Sequence, residues 1–163
     1  SFLDSNFVIS NSAFAIYEAE FWMFGIVSSL MHMSWVKSVA GRLESRIRYS
    51  SQLCYNTFPF PKISEAQKQE LTQCVFRILE ERENHSEKTL AQLYDPDKMP
   101  QGLREAHRLN DLAVERCYRS KPFETDEERL EYLFKLYEQM IAEEKVKDTL
   151  FQEEKKAKKS KKV

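Results

Sequence analysis

Four charged residues stand at every second position of "GRLESRIRYS": Arg42, Glu44, Arg46 and Arg48. A period of two is wrong for a helix and right for a strand, on which all four share one face and Leu43, Ser45 and Ile47 the other. Arginine forks match guanine O6 and N7 in the DNA major groove, and a carboxylate accepts from cytosine N4. Arg46 with Glu44 two residues away therefore suits the two bases of one G·C pair, or of two adjacent pairs. Arg42, Arg48, Tyr49 and Ser50 flank them and suit phosphate contacts. The same ladder also fits a solvated edge strand kept from aggregating by its charge. Edge protection favours lysine, whereas every cation here is arginine, which inclines the pattern toward recognition.

The remaining chemistry-bearing residues point less far. His107 and Asn110 fall on an otherwise apolar helix face, and His32 lies inside an apolar helix. For all three a core hydrogen bond outweighs a ligand role. Asp95 and Asp97 in "DPDKMPQG" lack the spacing of a calcium loop, because Met99 and Pro100 stand where ligands and a tight turn belong, so a turn is expected. Cys54, Cys74 and Cys117 are odd in number and far apart, which predicts reduced thiols in a cytoplasmic chain, and with the histidines they show no zinc spacing. No metal site is expected. No nucleophile is paired with a base, and no carboxylate pair stands in a catalytic frame. The three glycines, Gly25, Gly41 and Gly102, are too few and too scattered for a phosphate or cofactor loop.

These residues need elements to hold them. Residues 7–16 alternate as two short β segments, and 18–40 reads as one helix with Glu18 and Glu20 at its positive end and Lys37 at its negative end. Phe24, Val27, Met31 and Trp35 form one stripe of that helix and Trp22, Ile26 and Leu30 another, so it must be covered on most sides. The run from Phe21 to Val36 has no Asp, Glu, Lys or Arg but is shorter than the roughly 20 residues of a membrane span. Gly41 is placed to stop the helix in the left-handed conformation. The charged strand follows and continues through Tyr49–Asn56, until Pro59 and Pro61 end regular structure.

Everything later reads as helix. Ser64 and Gln67 form a capping box for a helix over 64–84 whose inner face is Leu71, Cys74, Val75 and Ile78. A short turn holds Leu90, Leu93 and Tyr94. A helix over 101–119 carries Leu103, His107, Asn110, Ala113, Val114 and Cys117 on one side. Thr125 and Glu128 cap a last helix that buries Leu130, Leu133, Phe134, Tyr137 and Ile141, runs on into the mixed-charge stretch Ala142–Glu154 and frays before the lysine tail. With no initiator Met, the chain reads as a piece of something larger.

Two stretches resemble a known family. "FGIVSSLMHMSWVKSVAGRLESRIRYSSQLCYNTFPFP" resembles the end of the target-recognition domain of the MmeI-like (Type IIL/IIG) DNA methyltransferase and restriction–modification family. "LYDPDKMPQGLREAHRLNDLAVERCY", with "EERLEYLFKLYEQM", resembles that family's C-terminal helical domain. The exit "FPFPKISEAQKQEL" is also similar to the way Type I specificity-subunit domains end. The resemblance implies a parent protein that transfers a methyl group from S-adenosylmethionine to adenine N6 in a short DNA sequence. Many relatives carry a nuclease domain as well. In the family pattern GRL-x-S-x-x-RYS, the variable positions around the serine are associated with base choice, and here they are Glu44 and Arg46. The family's Asn-Pro-Pro-aromatic catalytic motif and its glycine-containing cofactor motif are absent: Asn56 precedes Thr57, and no two prolines adjoin.

The expected fold is α+β and mostly α, a short β segment with a buried helix followed by a helical bundle or hairpin. The expected domains are 1–62, the end of a target-recognition domain; 63–145, a helical domain; and 146–163, a charged tail without regular structure. The expected function is DNA recognition on behalf of an adenine-N6 methyltransferase, with double-stranded DNA and the parent's methyltransferase domain as partners, S-adenosylmethionine bound by the parent, and no cofactor or catalytic residue in this fragment. The second reading is a helical protein-interaction module without direct DNA contact.

Overall fold

A computed structural model describes residues 14–43 and 46–160. Among them the chain is mostly α, with one two-stranded antiparallel ribbon. It forms two compact units, and each draws on both halves of the sequence: Ser1–Ser29 with Ile63–Cys117, and Leu30–Lys62 with Tyr118–Val163.

The first unit contains α1 (Phe21–Val27), α3 (Glu65–Glu83), α4 (Leu90–Leu93) and all but the last residue of α5 (Gln101–Tyr118). Helix α3 begins at the expected capping box: Ser64 Oγ accepts from Gln67 N, and Gln67 Oε1 accepts from Ser64 N at 2.9 Å. Thr89 and Gln92 form an equivalent box for α4. Leu71, Cys74, Val75 and Ile78 are buried as their spacing predicts, and Leu93, Leu103 and Ala106 pack with Ile78 while Phe24, Tyr94 and Met99 close the edge. Helix α1 packs on α3. The approach requires a glycine, because a Cβ on Gly25 would meet Asn110 Oδ1 at 2.9 Å and Val75 Cγ2 at 3.3 Å. Asn110 is fully buried and donates to the Gly25 carbonyl at 2.9 Å. His107 sits beside Tyr94, its Nε2 2.7 Å from the hydroxyl, which also accepts from Arg82 Nε at 2.8 Å. Both residues therefore serve the core, each with a partner of its own.

The second unit contains α2 (Leu30–Val39), β1 (Gly41–Leu43), β2 (Arg46–Arg48), a π-helical turn at Ser51–Tyr55 and α6 (Asp126–Ser160). Its core is aromatic. Trp35 is 1% exposed; its indole donates to Thr57 Oγ1 at 3.3 Å, and its ring lies 5.0 Å from Phe134 and 5.5 Å from Tyr137. Tyr118 donates to the Pro59 carbonyl at 3.1 Å, which holds the proline-rich segment against this unit. At the start of α6, Glu128 N donates to Thr125 Oγ1, but the Glu128 carboxylate accepts from Glu124 N and Arg119 rather than completing a box with Thr125.

Several sequence expectations change. The helix over 18–40 is two helices. Ser28 Oγ donates to the Phe24 carbonyl at 2.7 Å and Ser29 Oγ to the Ile26 carbonyl at 2.7 Å, and these side chains compete with the helical backbone where the break occurs. Glu18 is not helical: its φ of 53° puts it in a turn before α1. The β segments expected at 7–16 lie outside the described residues except for 14–16, which have no regular structure. Residues 51–55 are a π-helical turn, not strand. Helix α6 runs to Ser160, through the stretch expected as an irregular tail, because lysine, glutamate, glutamine and alanine are all good helix formers. Leu133 is fully buried, while Phe134 is 40% exposed despite its contact with Trp35.

Candidate nucleic-acid interface

The charged ladder is not one strand. Gly41–Leu43 and Arg46–Arg48 pair as an antiparallel hairpin with the register Gly41↔Arg48, Arg42↔Ile47 and Leu43↔Arg46. Directly opposed positions share a face, and successive positions alternate. By this register positions 41, 43, 46 and 48 fall on one side of the ribbon and 42 and 47 on the other. The expectation of one continuous strand over 42–48 is overturned by this antiparallel pairing, which a period-two reading of the sequence cannot register. Glu44 lies outside the described residues, as does Ser45; these two residues join the strands.

The hairpin leaves α2 directly. Ala40 N donates to the Val36 carbonyl at 2.9 Å, and Gly41 is already in β1. No described glycine has a positive φ, so Gly41 does not stop the helix in the left-handed way expected of it. At the far end Ile47 is 45% exposed and Arg48 is exposed, and the chain then turns inward. Tyr49 is half-buried, with its hydroxyl 3.1 Å from His32 Nε2 on α2. Ser50 caps the π-helical turn: its side chain accepts from Leu53 N, and its own backbone N donates to Cys54 Sγ at 3.4 Å. The hydroxyls of Tyr49 and Ser50 thus have partners inside the protein.

Burial sets the charge state at this foot. Desolvation lowers the His32 pKa to about 4, so the imidazole is neutral at neutral pH. Desolvation, with Cys54 and Tyr55 nearby, raises the Tyr49 pKa to about 12, so the phenol keeps its proton. A neutral pair of this kind is a fixed hydrogen bond, not an acid–base couple. The His32 ring also meets Phe58 edge-on at 4.7 Å. Sequence reading gave His32 a core role but left its partner open; the pairing spans 17 residues and has no local signal.

The described residues contain no group of His, Cys, Asp and Glu fit for a metal ion, and no helix long and apolar enough to cross a membrane. Asp95 is used locally, its Oδ1 accepting from Asp97 N at 3.0 Å in the turn before α5.

Comparison with known proteins places this hairpin. Residues 1–62 match the family described as MmeI, target recognition domain, and residues 63–144 match MmeI, C-terminal domain. DNA methyltransferase A of Bacillus subtilis (strain 168) is 52% identical over 133 residues, covering 82% of this chain and 15% of that protein. The solved structure of the Type IIL restriction–modification enzyme MmeI in complex with DNA is 43% identical, with a TM-score of 0.74 over 77% of this chain and 17% of that one. The chain thus spans a small part of the length of the relatives it matches. With both family matches end to end across it, and the hairpin inside the first of them, the chain belongs to the MmeI family of restriction–modification enzymes.

Proposed function

We propose that this chain supplies DNA sequence recognition to a longer S-adenosylmethionine-dependent adenine-N6 methyltransferase of a restriction–modification system. Residues 1–62 are the end of its target-recognition domain, 63–145 its C-terminal helical domain, and 146–163 a charged tail. The observation that carries the reading is the hairpin: a two-stranded ribbon within the target-recognition match, with Ile47 and Arg48 exposed on its return strand. A two-stranded ribbon fits the major groove. Glu44 and Arg46 are the base-reading pair, and Arg42 and Arg48 hold phosphates. Tyr49 and Ser50, expected to hold phosphates too, have hydroxyls engaged within the protein and belong to the foot of the ribbon.

Double-stranded DNA and the methyltransferase domain of the same parent are the partners, and the cytoplasm is the compartment. S-adenosylmethionine supplies the methyl group, and it belongs to the parent outside this chain, whose three scattered glycines form no cofactor loop. The sequence here contains no Asn-Pro-Pro-aromatic motif for the transfer itself.

Exchanging Glu44 and Arg46 together in the intact enzyme tests the reading. The methylated sequence, read by sequencing modified DNA, should change while cofactor binding persists; an unchanged sequence preference refutes the assignment. Arg46→Ala alone should cost roughly 1–3 kcal/mol and relax the choice at one base pair. Arg48→Ala should instead weaken all sequences alike and reduce the salt slope by about one.

A further inference from the structure

A ribbon of three residues per strand does not support itself. Its direction is set where its two legs are tied. The outgoing leg continues from α2 through the Ala40–Val36 backbone bond, and the returning leg is tied at the first residue after β2. That tie is the 3.1 Å contact between Tyr49 Oη and His32 Nε2, within the same compact unit as the hairpin. His32 is 1% exposed and held edge-on by Phe58, so it offers the returning leg a fixed point. It is also too deeply placed to reach a ligand in solvent.

We propose that His32 and Tyr49 are a positioning pair for sequence discrimination: their hydrogen bond fixes the angle of the hairpin and so the place that Glu44 and Arg46 reach, without either residue contacting DNA. The proposal rests on the reading of the hairpin as the base-contacting element. A lever argument gives the scale. Three residues of strand extend about 10 Å, so a pivot of roughly 5–10° at the foot carries the tip about 1–2 Å. Hydrogen bonds to base edges need donor and acceptor within a few tenths of an ångström, so such a shift is enough to lose one. Phosphate contacts through long arginine side chains tolerate it better.

The experiment compares Tyr49→Phe, His32→Leu, His32→Gln and the Tyr49→Phe/His32→Leu double variant in the intact enzyme. The readout is the ratio of methylation kcat/KM on the cognate site to that on sites changed at one base pair, with the salt dependence of DNA binding measured alongside. Tyr49→Phe removes only the hydroxyl and keeps the ring. Tyr49→Phe and His32→Leu should each narrow the ratio by about tenfold, the discrimination carried by one well-made base contact. The double variant should be no worse than either single one, as for two residues acting through one bond. His32→Gln, which keeps a nitrogen within reach of the hydroxyl, should retain more discrimination than His32→Leu, and the salt slope should not change in any of them.

The proposal is overturned if Tyr49→Phe narrows the ratio while both His32 variants leave it intact, since Tyr49 would then touch DNA itself. Additive effects in the double variant overturn it too, as do lowered thermal midpoints with unchanged ratios. The Glu44/Arg46 exchange, run in parallel, separates the two ideas. If that exchange alters the site and the foot variants do nothing, this inference alone falls. If the exchange leaves the site unchanged, the base-reading assignment falls and takes this inference with it.

Discussion

Asn110 shows how much one side chain decides. It sits fully buried on α5, and its amide donates to a carbonyl 85 residues earlier. Asn110→Leu fills similar space but leaves the Gly25 carbonyl without that donor, so a loss of roughly 1–3 kcal/mol is expected in urea unfolding. Gly25→Ala is expected to cost about as much by a different route, through the clash of its Cβ with Asn110 Oδ1 and Val75. Neighbours in contact do not add, so the two changes together should cost less than their sum. The buried histidines give the chain an acid limit. Burial lowers both His32 and His107 to about 4, with Arg82 contributing at His107. Between that value and the unfolded value of about 6.5 the unfolded chain binds more protons, so stability is whole above the upper value and declines as the pH falls toward the lower. His32 alone should remove roughly 1–2 kcal/mol by about pH 5. Urea midpoints measured across that range should fall with acid, and His32→Gln should flatten part of the slope.

Elements are bounded here by side-chain hydrogen bonds more than by glycine or proline. Ser64 and Gln67 open α3 with both halves of a capping box, and Thr89 and Gln92 open the four-residue α4 in the same way. Ser64→Ala should destabilise by about 1 kcal/mol, seen as a lower denaturant midpoint with an unchanged slope. The same chemistry within a run breaks a helix: Ser28 and Ser29 turn back on the carbonyls of Phe24 and Ile26, and α1 ends there. The hairpin is the counter-case. Its two strands pair antiparallel although the sequence between them has no Asn-Gly or Asp-Gly pair to announce a turn. Leu43 and Ile47 alternate across it as they would along one continuous strand.

At the scale of the molecule, sequence order and compact units differ. The chain passes from one unit to the other at 29–30, 62–63 and 117–118. Each unit needs pieces from both sides of residue 62. Asn110 holds Gly25 and the Phe76 ring lies tilted against Phe21 at 4.9 Å in the first; Phe134 and Tyr137 pack on Trp35 and Tyr118 holds Pro59 in the second. Residues 1–62 expressed without 63–144, or the reverse, should therefore lack a cooperative unfolding transition by circular dichroism. A sharp transition in either piece would show that the halves fold apart.

The sequence by itself determined what is local: the inner face of α3, Leu103, Asn110, Ala113 and Val114 on that of α5, the Ser64 capping box, the mostly helical class, and the arginine-rich stretch worth attention. Those follow from side-chain periodicity and from hydrogen bonds spanning three or four residues, which any short window contains. Only the tertiary structure decided that the ladder folds back as an antiparallel ribbon, that Tyr49 turns inward to His32, and that each compact unit is assembled across residue 62. The ribbon pairs residues three to seven apart but without a turn signature, and the other two depend on partners 17 to 102 residues away. The free energy of such contacts comes from burying both partners together, and neither partner's neighbours in sequence carry a mark of it.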